Sequence, residues 1–359
     1  MPEANLPDRN FAIACYLTSL ALGETIKWQH VGYDTIKGYF AAYELLLQDR
    51  KIMGPEGKEI PIPYRFKQDY IDVILTALEK YEGVKDRRNM ISDHMVRLLH
   101  KHSKKHPAHS LPRAILDWII LGRYNGARRA EWCQTTKTTY RRTRDTMPCW
   151  PTDEAQAFIA ADFVFLDCRG AVLSARDARR GTKVRYVTIQ WRYQKNQDHG
   201  QKITFAVDRK NKNFCPVLAA VRIINRAHEL QTPAHHPLAV YRHTDGRRLF
   251  ITESDVTDSL RAVASEAHNI PAGDAELAKW SSHSIRVTAC NLLHRQKFSD
   301  SYIKNRLRWK TDCFQMYLRN TFYTADQHTL LLSDNNLPTL TGVDTHQQNE
   351  AHEDIMMSS

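Results

Sequence analysis

The sequence predicts a mainly helical α+β protein with two domains. Three observations support this: apolar residues recur at helical spacing up to about Tyr81, alternation typical of strands is confined to residues 163–207, and helical spacing returns from Pro216. A chain of 359 residues also exceeds what one hydrophobic core usually accommodates. We therefore expect an all-α domain over 1–84, a basic linker over 85–90, a mixed domain with a small antiparallel sheet over 91–334, and a polar, disordered tail over 335–359.

The N-terminal domain is predicted from two amphipathic runs and a later helix. Asp34 stands at an N-cap position before the second run, and a loop rich in glycine and proline separates that run from a helix over 68–81. No strand pattern interrupts this region. The apolar positions of the two runs are Phe11, Ala14, Leu17, Leu20 and Leu22, then Ile36, Phe40, Tyr43, Leu46 and Leu47.

The sheet of the second domain is predicted from three short segments. Phe163 to Leu166 is a compact apolar run, and residues 187–193 alternate apolar with polar side chains. The turn-prone residues 196–200 follow, and alternation resumes at Ile203. The last two segments should therefore form a hairpin.

Composition favours a polyanionic partner. Lys and Arg total 51 against 40 for Asp and Glu, which gives a net charge of +11 and a pI near 9.3. The first residues lack the pattern of a secretory signal, no apolar run is long enough to span a membrane, and the seven cysteines form no CxxC pair. We expect an intracellular protein with no membrane partner, no cofactor and no metal.

A histidine-rich segment over 100–109 is the one alternative that points to a metal. His102 and His106 have an HxxxH spacing, but neither the glutamate of an HExxH motif nor a thiolate pair accompanies them. A solvated basic helix end is the better interpretation, and it would suit contact with a DNA backbone.

Three segments carry residue types suited to phosphate chemistry. In the first, Gly126 permits a sharp break before a helix in which Arg128 and Glu131 share a face. In the second, His283 and Arg286 project from the same face of a helix, and the apolar residues of that helix face the core. The third runs from Ile303 through Leu307-Arg308-Trp309 to a tyrosine at 317. Each pattern alone is common, since an Arg/Glu pair three apart is usually a solvated ion pair.

In this order the segments resemble the site-specific tyrosine recombinases, the phage integrase family. Gly-Ala-Arg128-Arg-Ala-Glu131 matches its box I, His283-Ser-Ile-Arg286 its box II, and Leu307-Arg308-Trp309 with Tyr317 its last elements. The resemblance covers roughly residues 34–323, and its finer details are most similar to recombinases of eukaryotic mobile elements of the Crypton type, which would place the protein in a nucleus. It implies the catalytic set Arg128, Lys195, His283, Arg286, Trp309 and Tyr317, with Glu131 supporting Arg128 from behind.

The chemistry of these residue types suits strand cleavage. Two guanidinium groups can hold the charge that grows on a phosphodiester under attack, and a tyrosine can store the cleaved bond as a phosphotyrosine without ATP. The resemblance assigns His283 to phosphate or proton transfer. Trp309 stands where most relatives have histidine, and an indole N–H can only donate.

Two assignments have rivals. In the family, a lysine on the hairpin supplies the proton to the leaving group. Lys195 has the same parity along the strand as Trp191 and should point inward, whereas Lys202 should point outward. We therefore choose Lys195. Tyr317 follows Trp309 by eight positions, one fewer than the family's usual spacing, which makes Tyr323 a rival nucleophile. We prefer Tyr317 because Phe314, Leu318 and Phe322 would dock its helix.

The resemblance further implies double-stranded DNA as the partner and a homotetramer assembled on it, with Thr329-Leu330-Leu331-Leu332 as a candidate docking segment between subunits. Catalysis would require neither metal nor ATP. Three alternatives stay open: a type IB topoisomerase, a domesticated DNA-binding relative without cleavage activity, and a helical RNA-binding protein. Strand exchange between two DNA sites would separate the first, and a comparison of binding to duplex DNA and to RNA would separate the third. The second is disfavoured by the complete set Arg128, Lys195, His283, Arg286, Trp309 and Tyr317.

Overall fold

The computed structural model describes residues 6–24, 31–48, 51–53, 59–61, 69–81, 87–133, 157–194 and 199–318. The chain divides into two compact units, Met1–Asp86 and Arg87–Ser359, and this division falls within the predicted linker. Lys195, Tyr323, the segment 329–332 and the predicted tail all lie outside the described residues.

The described residues of the first unit form three helices and one short hairpin. Leu17 and Leu20 of the first helix pack with Ile36 and Phe40 of the second and with Ile71 of the third. The elements are α1 (Leu6–Leu22), α2 (Tyr33–Gln48), β1 (Lys51–Met53), β2 (Glu59–Pro61) and α3 (Asp69–Tyr81).

The hairpin corrects the expectation of an all-α first domain. β1 and β2 pair antiparallel with Ile52 opposite Ile60, where the sequence predicted only a loop. Strands of three residues are too short to display the alternation by which strands are recognised. The helical periodicity was also partly misleading, because Phe11 and Leu22 are exposed while Ala14, Leu17 and Leu20 form the buried face of α1.

The second unit is a mainly helical α+β fold, as predicted. Its helices are α4 (Asp93–Ser103), α5 (Leu111–Asn125), α6 (Arg129–Trp132), α7 (Ala175–Arg180), α8 (Pro216–Glu229), α9 (Glu253–His268), α10 (Ser284–Arg295) and α11 (Asp300–Arg306). Its strands are β3 (Phe163–Leu166), β4 (Tyr186–Trp191), β5 (Gln201–Ala206), β6 (Val240–Arg242) and β7 (Arg248–Phe250). Within its described ranges, short 3₁₀ turns cover 160–162, 212–214, 275–279 and 312–317.

Helix α5 is the centre of this unit. Every residue from Ala114 to Gly122 is buried, and a helix that is apolar all round belongs inside a core. Its one buried carboxylate, Asp117, pairs with Arg222 and Arg226 of α8. The other neighbours of α5 include α4 and α10.

The predicted antiparallel sheet is confirmed. β4 lies between β3 and β5, with Phe163 opposite Ile189 and Ile189 opposite Ile203. One face of β4 and β5 is buried in the core, whereas Lys202 is exposed as its parity predicted. Trp191 ends β4 on the buried face. Within the described part of the chain, no helix combines the length and apolar character needed to cross a membrane.

Candidate active site

The first site segment begins where α5 ends. Gly126 closes α5 in the left-handed conformation (φ 56°), and the Asn125 side chain accepts a 2.8 Å hydrogen bond from the N–H of Ala127. An added Cβ at Gly126 would lie 2.7 Å from the Leu307 side chain, so glycine also permits a close approach. The predicted sharp break is present, and it brings Arg128 next to the chain around Leu307.

Arg128 and Glu131 adopt a capping arrangement. The sequence predicted that both lie on one helical face, but Arg128 precedes α6 at its N-cap with extended backbone. The Glu131 carboxylate folds back, accepting 2.9 Å hydrogen bonds from the Arg128 backbone N–H and from its Nη1. The carboxylate thereby orients the arginine, whose side chain is 25% exposed.

Two further donors complete the surroundings of Glu131. Nε1 of Trp191 and Nη2 of Arg308 each donate to its Oε2 at 3.0 Å. Burial alone would raise the pKa of Glu131, but Arg308, then Arg128 and Arg286, hold that pKa below its ordinary value. Glu131 is therefore an ionised carboxylate at neutral pH, held by four N–H groups.

Arg286 is the buried cation of the second segment. Its side chain donates from Nη1 to the Gly126 carbonyl at 2.6 Å and from Nη2 to the Leu307 carbonyl at 2.9 Å. Burial, together with the nearby Arg128 and Arg308, lowers the pKa of Arg286 to about 9. Burial is the main cause, and the two neighbouring guanidinium groups add a repulsion that a bound anion would relieve.

His283 stands immediately before α10, at its N-cap. Ile285 and Ala289 of this helix are buried, as predicted, and the imidazole of His283 lies 5.1 Å from the ring of Tyr317 between centroids. The histidine and the tyrosine, 34 positions apart in sequence, thus meet in the structure.

Trp309 contacts both Arg286 and Tyr317. Its ring centroid is 4.6 Å from that of Tyr317, and the guanidinium of Arg286 lies 4.3 Å from its centre. Nε1 of Trp309 is buried and makes no hydrogen bond within the described ranges of the chain. This N–H is a candidate donor to a ligand.

Tyr317 is carried by a 3₁₀ turn over 312–317, where the sequence predicted a helix. Phe314 anchors this turn in the core as predicted, and Asn291 donates from Nδ2 to the Tyr317 carbonyl at 2.7 Å. Phe322 lies outside the described residues. Partial burial raises the pKa of Tyr317 although Arg286 and Arg128 act to lower it. The phenol is thus neutral and half-buried, with Arg286 and Arg128 near enough to act on it.

The structure brings five of the six predicted catalytic residues, and Glu131, into one region. The sixth, Lys195, and the rival nucleophile Tyr323 lie outside the described residues, so both assignments stay predictions. The residues brought together are Arg128, His283, Arg286, Trp309 and Tyr317.

Sequence reasoning missed Trp191 and Arg308 as parts of this region. In the sequence Arg308 was quoted within the Leu307-Arg308-Trp309 motif but was given no role of its own. Nothing in the sequence indicates that its backbone takes a positive φ of 59°. The inward parity of Trp191 was the one available signal, because a buried indole N–H needs an acceptor and Glu131 supplies it.

The histidine-rich segment has local partners. His102 lies 2.6 Å from the Glu266 carboxylate, and His109 lies 2.8 Å from that of Glu229. Among the residues that the structure describes, no three His, Cys, Asp or Glu side chains group as metal ligands would.

The arrangement is suited to binding a phosphate. Arg128, Arg286 and Arg308 surround the single carboxylate of Glu131, so two positive charges of this group have no counter-charge within it. A planar guanidinium matches the geometry of phosphate oxygens, and Arg128 is the accessible one of the three.

Comparisons with known proteins give structural neighbours only. A scan against models of protein families finds no match, and a search of curated protein sequences finds none either. The solved structure of the XerH site-specific recombinase bound to palindromic difH substrate matches at a TM-score of 0.49 and 13% identity, over 90% of this chain and 71% of that one.

Two other solved structures match at lower TM-scores. The Tn1549 transposon integrase with transposon right end DNA gives a TM-score of 0.44 at 12% identity, over 92% of this chain and 86% of that one. The XerA recombinase gives 0.37 at 10% identity, over 89% and 98%. Likeness at this level does not transfer a function, which has to be inferred from the chain's own site.

Proposed function

We propose that this chain is a tyrosine recombinase, which cleaves and rejoins DNA strands through a covalent bond between Tyr317 and a backbone phosphate. The observation that carries the proposal is the contact chain Tyr317–Trp309–Arg286, with ring centroids 4.6 Å apart and the guanidinium 4.3 Å from the indole. A phenol next to a phosphate-binding cation is what nucleophilic attack on a phosphodiester requires.

Each residue has a role in the proposed step. Oη of Tyr317 attacks the phosphorus, its bond to phosphorus forms, and the bond from phosphorus to the 5′-oxygen breaks. The products are a 3′-phosphotyrosine and a free 5′-hydroxyl. Arg128 and Arg286 hold the nonbridging oxygens, on which charge grows. Attack by a 5′-hydroxyl on the phosphotyrosine reverses the step and reseals the strand.

Other groups assist this step. Two of the five N–H groups of Arg286 donate to backbone carbonyls, which leaves others for a ligand. The neutral phenol of Tyr317 gives up its proton as the new bond forms, and His283, whose ring centroid lies 5.1 Å from that of Tyr317, accepts it. Nε1 of Trp309 donates to the phosphate, and Lys195 supplies the proton to the departing 5′-oxygen. The energy of the cleaved bond is conserved in the phosphotyrosine, so ATP takes no part. Arg128 and Arg286 supply the positive charge that a metal ion would otherwise provide.

The proposed substrate is double-stranded DNA bound by a homotetramer. One site cuts one strand, so exchange between two duplexes needs four cleavages and four subunits. The net charge of +11 suits a DNA backbone. We place the protein with the recombinases of mobile elements, of the Crypton type and hence in a nucleus, and assign DNA clamping to the helical N-terminal domain.

Covalent trapping tests the proposal. Duplexes that bind the full chain would be selected from a random DNA pool, nicked at successive positions, and incubated with the protein in EDTA. The proposal predicts a denaturation-resistant adduct in which the DNA is joined through its 3′-phosphate. Selected DNA that is bound but never joined would contradict it, and cleavage that requires added magnesium would indicate a nuclease.

A further inference from the structure

We infer that Arg308 is a positioning residue, which sets Arg128 for reaction by holding Glu131. The inference rests on the proposed function, and it assigns a task to a side chain that neither the motifs nor the phosphate chemistry required. Arg308 itself is too deeply buried to contact DNA, since its side chain is 0% exposed.

The side chain of Arg308 contacts three different elements near Arg128. Nη1 donates to the Asn125 carbonyl at 2.9 Å and Nη2 donates to the Glu131 carboxylate at 3.0 Å. The guanidinium carbon also lies 3.9 Å from the centre of the Trp191 ring. Arg308 thereby joins the end of α5, the start of α6 and the end of β4.

The backbone of Arg308 contacts Arg128 directly. Its carbonyl accepts a 3.4 Å hydrogen bond from Nη2 of Arg128, while Nη1 of Arg128 donates to Glu131. Arg308 and Glu131 therefore hold the two ends of the same guanidinium fork. A shift of either partner would turn the fork relative to a bound phosphate.

This arrangement is costly, which argues against an incidental contact. Arg308 adopts a positive φ of 59°, a conformation that L side chains seldom take, and it buries a full positive charge. Burial, with the neighbouring Arg128, lowers the pKa of Arg308 to about 10 although Glu131 opposes this. A glycine would satisfy the backbone without any buried charge.

A double-mutant cycle on cleavage tests the inference. Arg308→Met, Glu131→Gln and the double variant would be compared in single-turnover cleavage at saturating DNA. If Arg308 acts through Glu131, each single variant slows cleavage at least about tenfold, since misplaced catalytic groups cost that much or more. The double variant would then be no slower than the slower single variant.

Two further variants separate positioning from support of the fold. Arg308→Lys keeps the charge and should restore part of the cleavage rate that Arg308→Met loses. Arg226→Met breaks another buried ion pair, to Asp117, away from the site, and should lower the melting temperature without slowing cleavage by the folded protein. Equal slowing by Arg226→Met and Arg308→Met, or multiplicative effects of the cycle, would overturn the inference.

A measurement without DNA separates failure of this inference from failure of the proposed function. In the wild-type background Arg308→Met leaves Glu131 short of a buried partner, whereas in the Glu131→Gln background the carboxylate that Arg308 contacts is already gone. The fall in melting temperature on Arg308→Met should thus be smaller in the second background. Equal falls would refute the contact itself, and an absent wild-type adduct with unequal falls would refute only the proposed function.

Discussion

The guanidinium of Arg286 lies 4.3 Å from the centre of the Trp309 ring, and the same ring contacts Tyr317. The indole thus spaces the cation from the phenol, and its buried Nε1 makes no hydrogen bond to any described residue. Both properties can be separated by substitution.

Trp309→Phe keeps an aromatic ring between Arg286 and Tyr317 but removes the N–H. We expect DNA affinity to change little, whereas the single-turnover cleavage rate falls by about tenfold, the value of one hydrogen bond to a charged group. Trp280→Phe is the matched control, since its Nε1 donates to the Met90 carbonyl away from the site. Equal rates for Trp309→Phe and wild type would remove the indole N–H from the reaction.

Arg128 and Arg286 should not tolerate lysine. A point charge cannot reproduce the fork of a guanidinium, so each substitution should slow cleavage by roughly 10²–10³-fold at saturating DNA. Arg129→Lys is the control, because Arg129 pairs with Glu253 and is largely exposed. Normal cleavage by Arg286→Lys would exclude it from the clamp.

Gly126→Ala tests the junction between α5 and α6. The positive φ should cost about 1–2 kcal/mol of the free energy of unfolding, and the clash with Leu307 should add to it. Gly246→Ala supplies the control, since Gly246 has φ 86° and open space around it. Chemical denaturation would measure both, and a loss no larger at Gly126 than at Gly246 would mean that Leu307 does not approach it closely.

The sequence predicted which residues belong to the candidate site better than it predicted their local conformation. The order of the motifs, through their resemblance to the tyrosine recombinases, was enough to nominate Arg128, His283, Arg286, Trp309 and Tyr317, and these residue types also suit phosphate chemistry. The capping position of Arg128 and the 3₁₀ turn under Tyr317 could not be predicted, since both depend on how α5 and α10 meet the chain around Leu307.

The fold shows the same division. The alternation in β4 and β5 follows from burial of one face of the sheet. It therefore predicted correctly that the two strands form a hairpin and which of their side chains face the core. The three-residue strands β1 and β2 gave no such pattern. Arg308 escaped notice because its importance lies in a backbone conformation and a buried contact, neither of which has a sequence signature.

Acid stability should depend on Glu131. Because its folded-state pKa is depressed below the ordinary 4.5, its ionised form stabilises the fold at neutral pH, and this contribution is lost as the pH falls below about 4.5 and through the folded pKa. Glu131→Gln should therefore be less stable by roughly 3–5 kcal/mol at pH 7, as for a broken buried ion pair, and the difference from wild type should shrink on acidification.

Urea unfolding of both proteins between pH 7 and pH 3 measures this difference. A gap that stays constant over that range would mean that Glu131 carries no pH-dependent stability. Aspartate at the same position is a useful comparison, because it keeps the charge but shortens the reach to Arg308.

The identity of the nucleophile is the central claim. Tyr317→Phe removes one hydroxyl and leaves Arg128 and Arg286 in place, so DNA affinity should persist while the covalent adduct disappears. Tyr323→Phe, the matched control, should form the adduct as wild type does. The most direct measurement is mass spectrometry of the peptide left attached to DNA after trapping and proteolysis. The account predicts a phosphodiester on Tyr317; attachment at Tyr323, with an adduct still formed by Tyr317→Phe, would contradict it.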